Sequence, residues 1–246
     1  LCAGMTAIQF SLSENWQAAA YSIVAAAILD TLDGRIARLL KGASKFGAEL
    51  DSLSDFICFG VAPALMLFMW STHELGKPGW VVALIFGVCC ALRLARFNTA
   101  LESSMPPWAY NYFSGVPAPA GAGLALMPMV LSFLVGDEIL RQPEIVSTFL
   151  VVTSAMLVSN IPTFSFKNFR VSQRWVLPTM LIVLLFFAAS VSAPWETLST
   201  ILFLYIATIP FSIRAFNNLK KQANDIQGIN GVEETTAPSD KDDNSA

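Results

Sequence analysis

Apolar runs of about 20 residues, the length a helix needs to cross a hydrocarbon core, recur along this chain with little polar sequence between them. A segment in lipid must satisfy its backbone hydrogen bonds internally, which favours helices. The runs cover Leu1 to Leu12, Trp16 to Leu40, Phe46 to Trp70, Gly79 to Phe97, Pro117 to Val135, Ile145 to Ile161, Trp175 to Val191 and Trp195 to Ile213. Eight crossings are therefore expected. The first is incomplete: the chain opens on Leu1 with its apolar run under way, and a preceding piece is expected to complete helix 1. The expected fold class is all-α, a polytopic transmembrane helical bundle over residues 1–216. A composition of 54% hydrophobic and 13% charged residues, with a mean hydropathy of +0.57, sets the chain apart from soluble domains. From about Gln222 the sequence turns polar and acidic, and residues 217–246 are expected to form a disordered cytoplasmic tail.

Lys and Arg divide unevenly among the loops, and the excess marks the cytoplasmic side. Placing the turn around Lys41 to Lys45 inside gathers most basic residues there, from Arg35 to Lys221, and leaves Lys77 and Arg141 outside. The same assignment puts Glu14, Glu74, Asp137, Glu138, Glu144 and Glu196 on the outer face. Cys2, Cys58, Cys89 and Cys90 lie in apolar runs without metal-ligand spacing and read as small packing residues. His73, in a short outer loop, is assigned no role. No nucleic-acid partner is expected.

Against this background four aspartates stand out: Asp30, Asp33, Asp51 and Asp55, in two apolar runs joined by one short basic turn. Asp30 and Asp33 are three apart and share a helix face; Gly47, Asp51 and Asp55 follow at four-residue intervals and form one stripe. Counting from Ala43 as pivot, Asp30 lies thirteen residues back and Asp55 twelve forward, Asp33 ten back and Asp51 eight forward. In antiparallel helices each pair then sits at similar depth, about 12–20 Å from the turn. Four carboxylates in a partly dehydrated site repel one another unless cations intervene. Two Mg²⁺ or Mn²⁺ ions balance the charge, and oxygen-only donors suit these hard ions.

Gly34, Ala37 and Gly47 carry little or no side chain, so a bulky ligand can approach the helix backbone there. Arg38, Lys41, Ser44 and Lys45 supply charge and hydrogen bonds suited to phosphate. Together these features suit a diphosphate. Two alternatives remain open on the residues alone: aspartates paired with Arg35 or Arg38 merely to hold two helices together, and an intramembrane ion carrier.

The pattern Asp30-x2-Asp33-Gly34-x2-Ala37-Arg38-x8-Gly47-x3-Asp51-x3-Asp55 resembles the signature of the CDP-alcohol phosphatidyltransferases. The resemblance implies a membrane enzyme that displaces CMP from a CDP-linked lipid, with Asp30, Asp33, Asp51 and Asp55 holding two divalent cations and Asp55 serving as general base. It further implies that Gly34 and Arg38 contact the CDP group and that Ser44 approaches it. The substrate-binding set for CDP-diacylglycerol is thus Gly34, Ala37, Arg38, Ser44 and Gly47.

The stretches "ELDSLSDFICFGVAPAL", "ALRLARFN", "YFSGVPAPAGAG" and "IPTFSFK" are similar to the bacterial integral-membrane members that use L-serine as acceptor. Transfer of the phosphatidyl group to serine in phospholipid biosynthesis is the expected activity. Other acceptors (glycerol 3-phosphate, inositol phosphate, choline) are the alternative within the family. Arg93 and Arg96, at the inner end of the fourth run, are the candidates for holding serine's carboxylate; the competing reading has them reaching to lipid headgroups. Lys167 and Arg170 have a weaker case. The resemblance also implies a homodimer in the bacterial cytoplasmic membrane, among its lipids, with the active site facing the cytoplasm.

Overall fold

The computed structural model describes residues 1–39, 45–101, 112–159, 162–164 and 176–210. Each of the eight apolar runs is mainly helical over its described residues. Helix α1 (Cys2–Leu12) and helix α2 (Trp16–Leu39) are joined by a tight turn in which Glu14 takes a positive φ of 57°. Asn15 opens α2 as its N-cap, its Oδ1 accepting the backbone N–H of Ala18 at 3.2 Å.

The third run is not one uniform helix. It comprises α3 (Lys45–Asp55), a π-helical stretch (Phe56–Val61) and α4 (Ala62–Trp70). A 3₁₀ turn (Thr72–Leu75) leads into α5 (Lys77–Leu101), which runs well past the expected helix end at Phe97. The fifth run divides into α6 (Ala118–Ala125) and α7 (Met127–Val135), bent by 43°. Pro128 supplies the cause, since it has no N–H to continue the α6 ladder and its ring crowds the preceding turn. There follow α8 (Asp137–Leu140), α9 (Pro143–Val158), α10 (Val176–Ser192) and α11, residues 194–210.

One departure from an all-helical chain is a two-stranded antiparallel ribbon of β1 (Tyr112–Ser114) and β2 (Pro162–Phe164), pairing Phe113 with Thr163. Three-residue strands give no periodicity to read, and their partners lie some fifty residues apart.

Helix α1 packs on α2 and α4, α5 on α4 and α9, and α6 on α9. Phe59, Met66, Leu67, Trp70, Phe86, Leu150 and Leu157 fill the centre and are almost wholly buried. A second cluster, Val116, Leu124, Met127 and Leu202, ties α11 to α6. Outside this core the surface is oily: Leu181, Leu185 and Phe187 along α10 are exposed, as are Val81, Leu84 and Val88 on α5. Large apolar residues exposed along whole helices suit contact with lipid tails.

The chain is a helical membrane protein. By length and composition Phe46–Trp70 and Lys77–Thr99 are each able to cross a bilayer, and the bent α6–α7 pair makes a third span if it counts as one. Helix α2 has 24 residues, but Asp30, Asp33 and Arg35 lower the apolar character of its second half. Helices α1, α9 and α10 are apolar but shorter.

At one end of the bundle Arg141 Nε donates to the carbonyl of Trp70 at 3.0 Å, and Ser71 Oγ to the carbonyl of Arg141 at 2.6 Å. These bonds lock the α4–α5 connection to the α8–α9 connection. The aspartates lie toward the opposite end.

Candidate active site

Helix α2 and helix α3 bring three of the four aspartates together. One carboxylate oxygen from each of Asp30, Asp51 and Asp55 lies within 4.8 Å of the others. Asp51 and Asp55 are a turn apart on α3, which keeps regular α-geometry up to Asp55, so the four-residue stripe holds where it matters. The carboxyls of Asp30 and Asp55 are close enough to share a hydrogen bond. This is the pair that the count from the turn sets at matching depth. Asp33 is exposed on the next turn of α2 and stands outside the trio, yet it lines the same cavity.

That cavity has a volume of about 450 Å³. Its lining combines Asp30, Asp33, Ser54 and Asp55 with apolar residues such as Leu29 and Phe59. Such a lining suits a ligand with an anionic part and an oily part. Beside it, a Cβ added at Gly34 meets none of the described atoms within 4 Å, so the α2 backbone can be approached there. Gly47 is exposed on the first turns of α3. The side chains of Ala37, Arg38, Lys41, Ser44, Lys45, Lys167 and Arg170 lie outside the described residues, as does the tail from residue 217.

Three carboxylates at this spacing need a compensating charge. Among the described residues no Lys or Arg is ion-paired with any of them, and Arg35 is exposed on α2 without such a partner. The helix-pairing alternative thus finds no described ion pair to rest on. The donor set is all oxygen, in reach of a single centre, and at Asp30 and Asp55 it borders a cavity; it fits a hard divalent cation that keeps positions for a ligand's oxygens.

The two arginines of the fourth run part company. Arg93 Nε donates to the carbonyl of Val116 at 2.7 Å, and its guanidinium lies 6.0 Å from the centre of the Phe97 ring. Its charge is near enough to Asp55 to interact with it. Among the described residues its Nη1 and Nη2 make no hydrogen bond. Arg96 instead donates from Nη1 to the carbonyl of Val158 at 2.9 Å and from Nη2 to that of Ser159 at 3.0 Å. Neither reaches for headgroups through these bonds; both hold protein backbone.

Two features escape a reading of the sequence. The first is the π-helical stretch that begins at Phe56, directly after Asp55; wider i→i+5 turns are rare and cluster at functional sites. No periodicity in "FICFGV" announces it. The second is Asn98, whose Nδ2 donates to Ser52 Oγ at 2.9 Å, while Ser52 Oγ lies 3.1 Å from the carbonyl of Ala48. It ties α5 to α3 beside Asp51. The stretch "ALRLARFN" contains it, but only the fold supplies its partner.

The family model described as CDP-alcohol phosphatidyltransferase matches residues 1–163. The chain belongs to the CDP-alcohol phosphatidyltransferase family. A second model, CDP-alcohol phosphatidyltransferase 2, matches residues 174–210, in α10 and α11. Among relatives of this family, the chain is 39% identical over 216 residues to the CDP-diacylglycerol–serine O-phosphatidyltransferase of Mycobacterium bovis, covering 87% of this chain and 75% of that one. It is 37% identical over 207 residues to the enzyme of that name from Helicobacter pylori strain 26695, covering 82% of each. With the Bacillus subtilis enzyme of that name it shares 38% identity over 130 residues, 53% of this chain and 68% of the other.

Proposed function

We propose that this protein transfers the phosphatidyl group of CDP-diacylglycerol to the hydroxyl of L-serine, giving phosphatidylserine and CMP. The observation that carries the reading is the convergence of Asp30, Asp51 and Asp55, from two helices, at a cavity that Asp30 and Asp55 line together with apolar residues. The relatives' names point to the same reaction.

In this reading Asp30, Asp33, Asp51 and Asp55 hold two divalent cations, Mg²⁺ or Mn²⁺. Bound there, the ions offset the carboxylates and the charge on the diphosphate and on departing CMP. Gly34, Ala37 and Gly47 leave room for the CDP group along the helices, and Arg38 and Ser44 bind it. The acyl chains stay in the bilayer. An apolar groove of about 470 Å³ between α2, α6 and α11, lined by Ile23, Ala27, Gly123 and Leu202, gives one chain a path beside the site.

Serine enters from the aqueous side, its carboxylate held by the open fork of Arg93. Asp55 takes the hydroxyl proton. The serine oxygen bonds to the phosphorus that carries diacylglycerol while the bond from that phosphorus to the CMP oxygen breaks, so one phosphoester forms as one anhydride is lost. Arg38 stabilises charge on the departing CMP.

The proposal includes eight crossings of the bacterial cytoplasmic membrane, the acidic site at the cytoplasmic face, and a homodimer in the lipid. Support for the orientation comes from Arg35, Arg93 and Arg96 lying toward the acidic end and Glu74, Asp137 and Glu138 toward the other.

The test is to incubate the purified chain with labelled CDP-diacylglycerol, Mg²⁺ or Mn²⁺, and one acceptor at a time. Serine-dependent CMP release with labelled phosphatidylserine is expected, abolished by EDTA. Transfer to glycerol 3-phosphate, inositol phosphate or choline in its place refutes the acceptor. Cation movement across vesicles without CMP release refutes the enzyme.

A further inference from the structure

The bonds around Arg96 lead from the end of one helix to the residue that holds Arg93, whose charge is felt by Asp55. Helix α9 ends at Val158, and its last carbonyls need partners. Ser159 N–H bonds the carbonyl of Ala155 at 3.0 Å, and Ser159 Oγ bonds that of Met156 at 2.8 Å. The carbonyls of Val158 and Ser159 are taken by the two ends of the Arg96 fork. A guanidinium here also meets the negative end of the helix dipole.

Gly115 is pressed against this cap. Its φ is +81°, and a Cβ there sits 2.9 Å from the carbonyl oxygens of Leu157 and Ser159 and 3.2 Å from Arg96 Nη2. Both the conformation and the space call for glycine. The next residue, Val116, is fully buried; its N–H approaches the carbonyl of Met156 at 3.4 Å, and its own carbonyl receives Arg93 Nε. Arg96 thus fixes the α9 end, the α9 end and Arg96 fix Gly115 and Val116, and Val116 fixes Arg93 beside Asp55.

We infer that Arg96 and Gly115 are positioning residues for the acceptor: they do not touch it, and act by orienting the Arg93 fork. This rests on the transferase reading above and on Arg93 as the group that holds the acceptor's carboxylate. It assigns distinct tasks to two arginines three residues apart. Lysine cannot take the place of Arg96, because a single ammonium does not span two carbonyls with a rigid fork.

The experiment is a double-mutant cycle on the purified full chain with Mg²⁺ or Mn²⁺, following CMP release. Arg96→Lys and Gly115→Ala are each expected to raise the KM for serine by about tenfold or more, with the KM for CDP-diacylglycerol within about twofold of wild type. On an Arg93→Gln background, Arg96→Lys is expected to change the serine KM by less than about twofold, because its route of action is already gone. Effects that multiply across the two sites overturn the inference, as does an unchanged serine KM in soluble Arg96→Lys or Gly115→Ala. A loss confined to the yield of folded protein, with normal serine KM in what remains, also overturns it. The wild-type control separates the two claims: serine transfer by the unmodified chain upholds the transferase reading whatever the cycle shows, and an unmodified chain that uses only an acceptor without a carboxylate overturns both. A wild type without any CMP release overturns both.

Discussion

Asp30, Asp51 and Asp55 place three acidic groups within reach of one another, and that crowding makes a testable demand on stability. Without a cation each carboxylate destabilises its neighbours. Asp55→Asn is therefore expected to unfold at a higher temperature than wild type in EDTA. With Mg²⁺ or Mn²⁺ the order reverses, because an ion at a hundred times its Kd adds about 2.7 kcal/mol to the chain that binds it. Thermal unfolding in detergent, with and without ion, reads both halves; an order that never changes removes the metal from the account. The same variant loses the proposed base, and its kcat for serine transfer is expected to fall by about a hundredfold or more. The outline of this cluster is legible in the sequence, since helical spacing and distance from the turn suffice to pair Asp30 with Asp55. The exposed position of Asp33, outside the trio, is not, because spacing sets a face and a depth but not the rotation of one helix against the next.

Between α3 and α4 the chain spends six residues in π geometry, Phe56–Val61, where both α1 and α5 pack against it. Gly60 faces α5: a Cβ there falls 3.1 Å from Cys90 Cβ and 3.1 Å from Phe56 Cδ2, and Cys90 is fully buried. Cys58 fills the α1 side, with its Sγ 2.8 Å from where a Cβ on Gly4 would lie. Cys58 and Cys90 thus act as small packing residues, as their apolar setting suggests, whereas Cys2 is exposed and Cys89 half-buried. Gly60→Ala is expected to destabilise by about 1–3 kcal/mol through overpacking, and Cys90→Gly to recover part of the loss by vacating the contact. Thermal unfolding of the two single variants and the double variant checks this; additive effects exclude the contact. The bend between α6 and α7 has a visible cause in Pro128, whereas the π stretch has none in its own six residues. What stands beside it are Pro63, two residues on and without an N–H to give, and the packing of α1 and α5.

At the scale of the molecule, the bundle separates its chemistry by end. Trp70, Ser71 and Arg141 close one end with backbone hydrogen bonds, while Asp30, Asp51, Asp55, Arg93 and Arg96 gather toward the other. This suits a reaction between a lipid and a dissolved amino acid, since the reacting phosphate belongs at the boundary of the two phases. The proposed orientation predicts thiol accessibility. In a background with Cys2, Cys58, Cys89 and Cys90 replaced by alanine, Glu138→Cys is expected to react with a membrane-impermeant maleimide added to spheroplasts, and Glu49→Cys only after permeabilisation. The reverse pattern puts the site on the wrong face.

Membrane character, the helical runs and the acidic hairpin follow from local rules: apolar length, helical period and distance from a turn. Those rules act along a helix and across the short turn that joins two of them, so "AILDTLDGRIARLLKGASKFGAELDSLSDF" suffices to bring carboxylates from two helices to one depth. The division of labour between Arg93 and Arg96, the link from Asn98 to Ser52, and the pairing of Tyr112–Ser114 with Pro162–Phe164 join residues that are 23 to 63 positions apart. No local period records such a contact. It exists only when α5, α9 and the segment before α6 are packed, because each backbone carbonyl finds its donor on a different element.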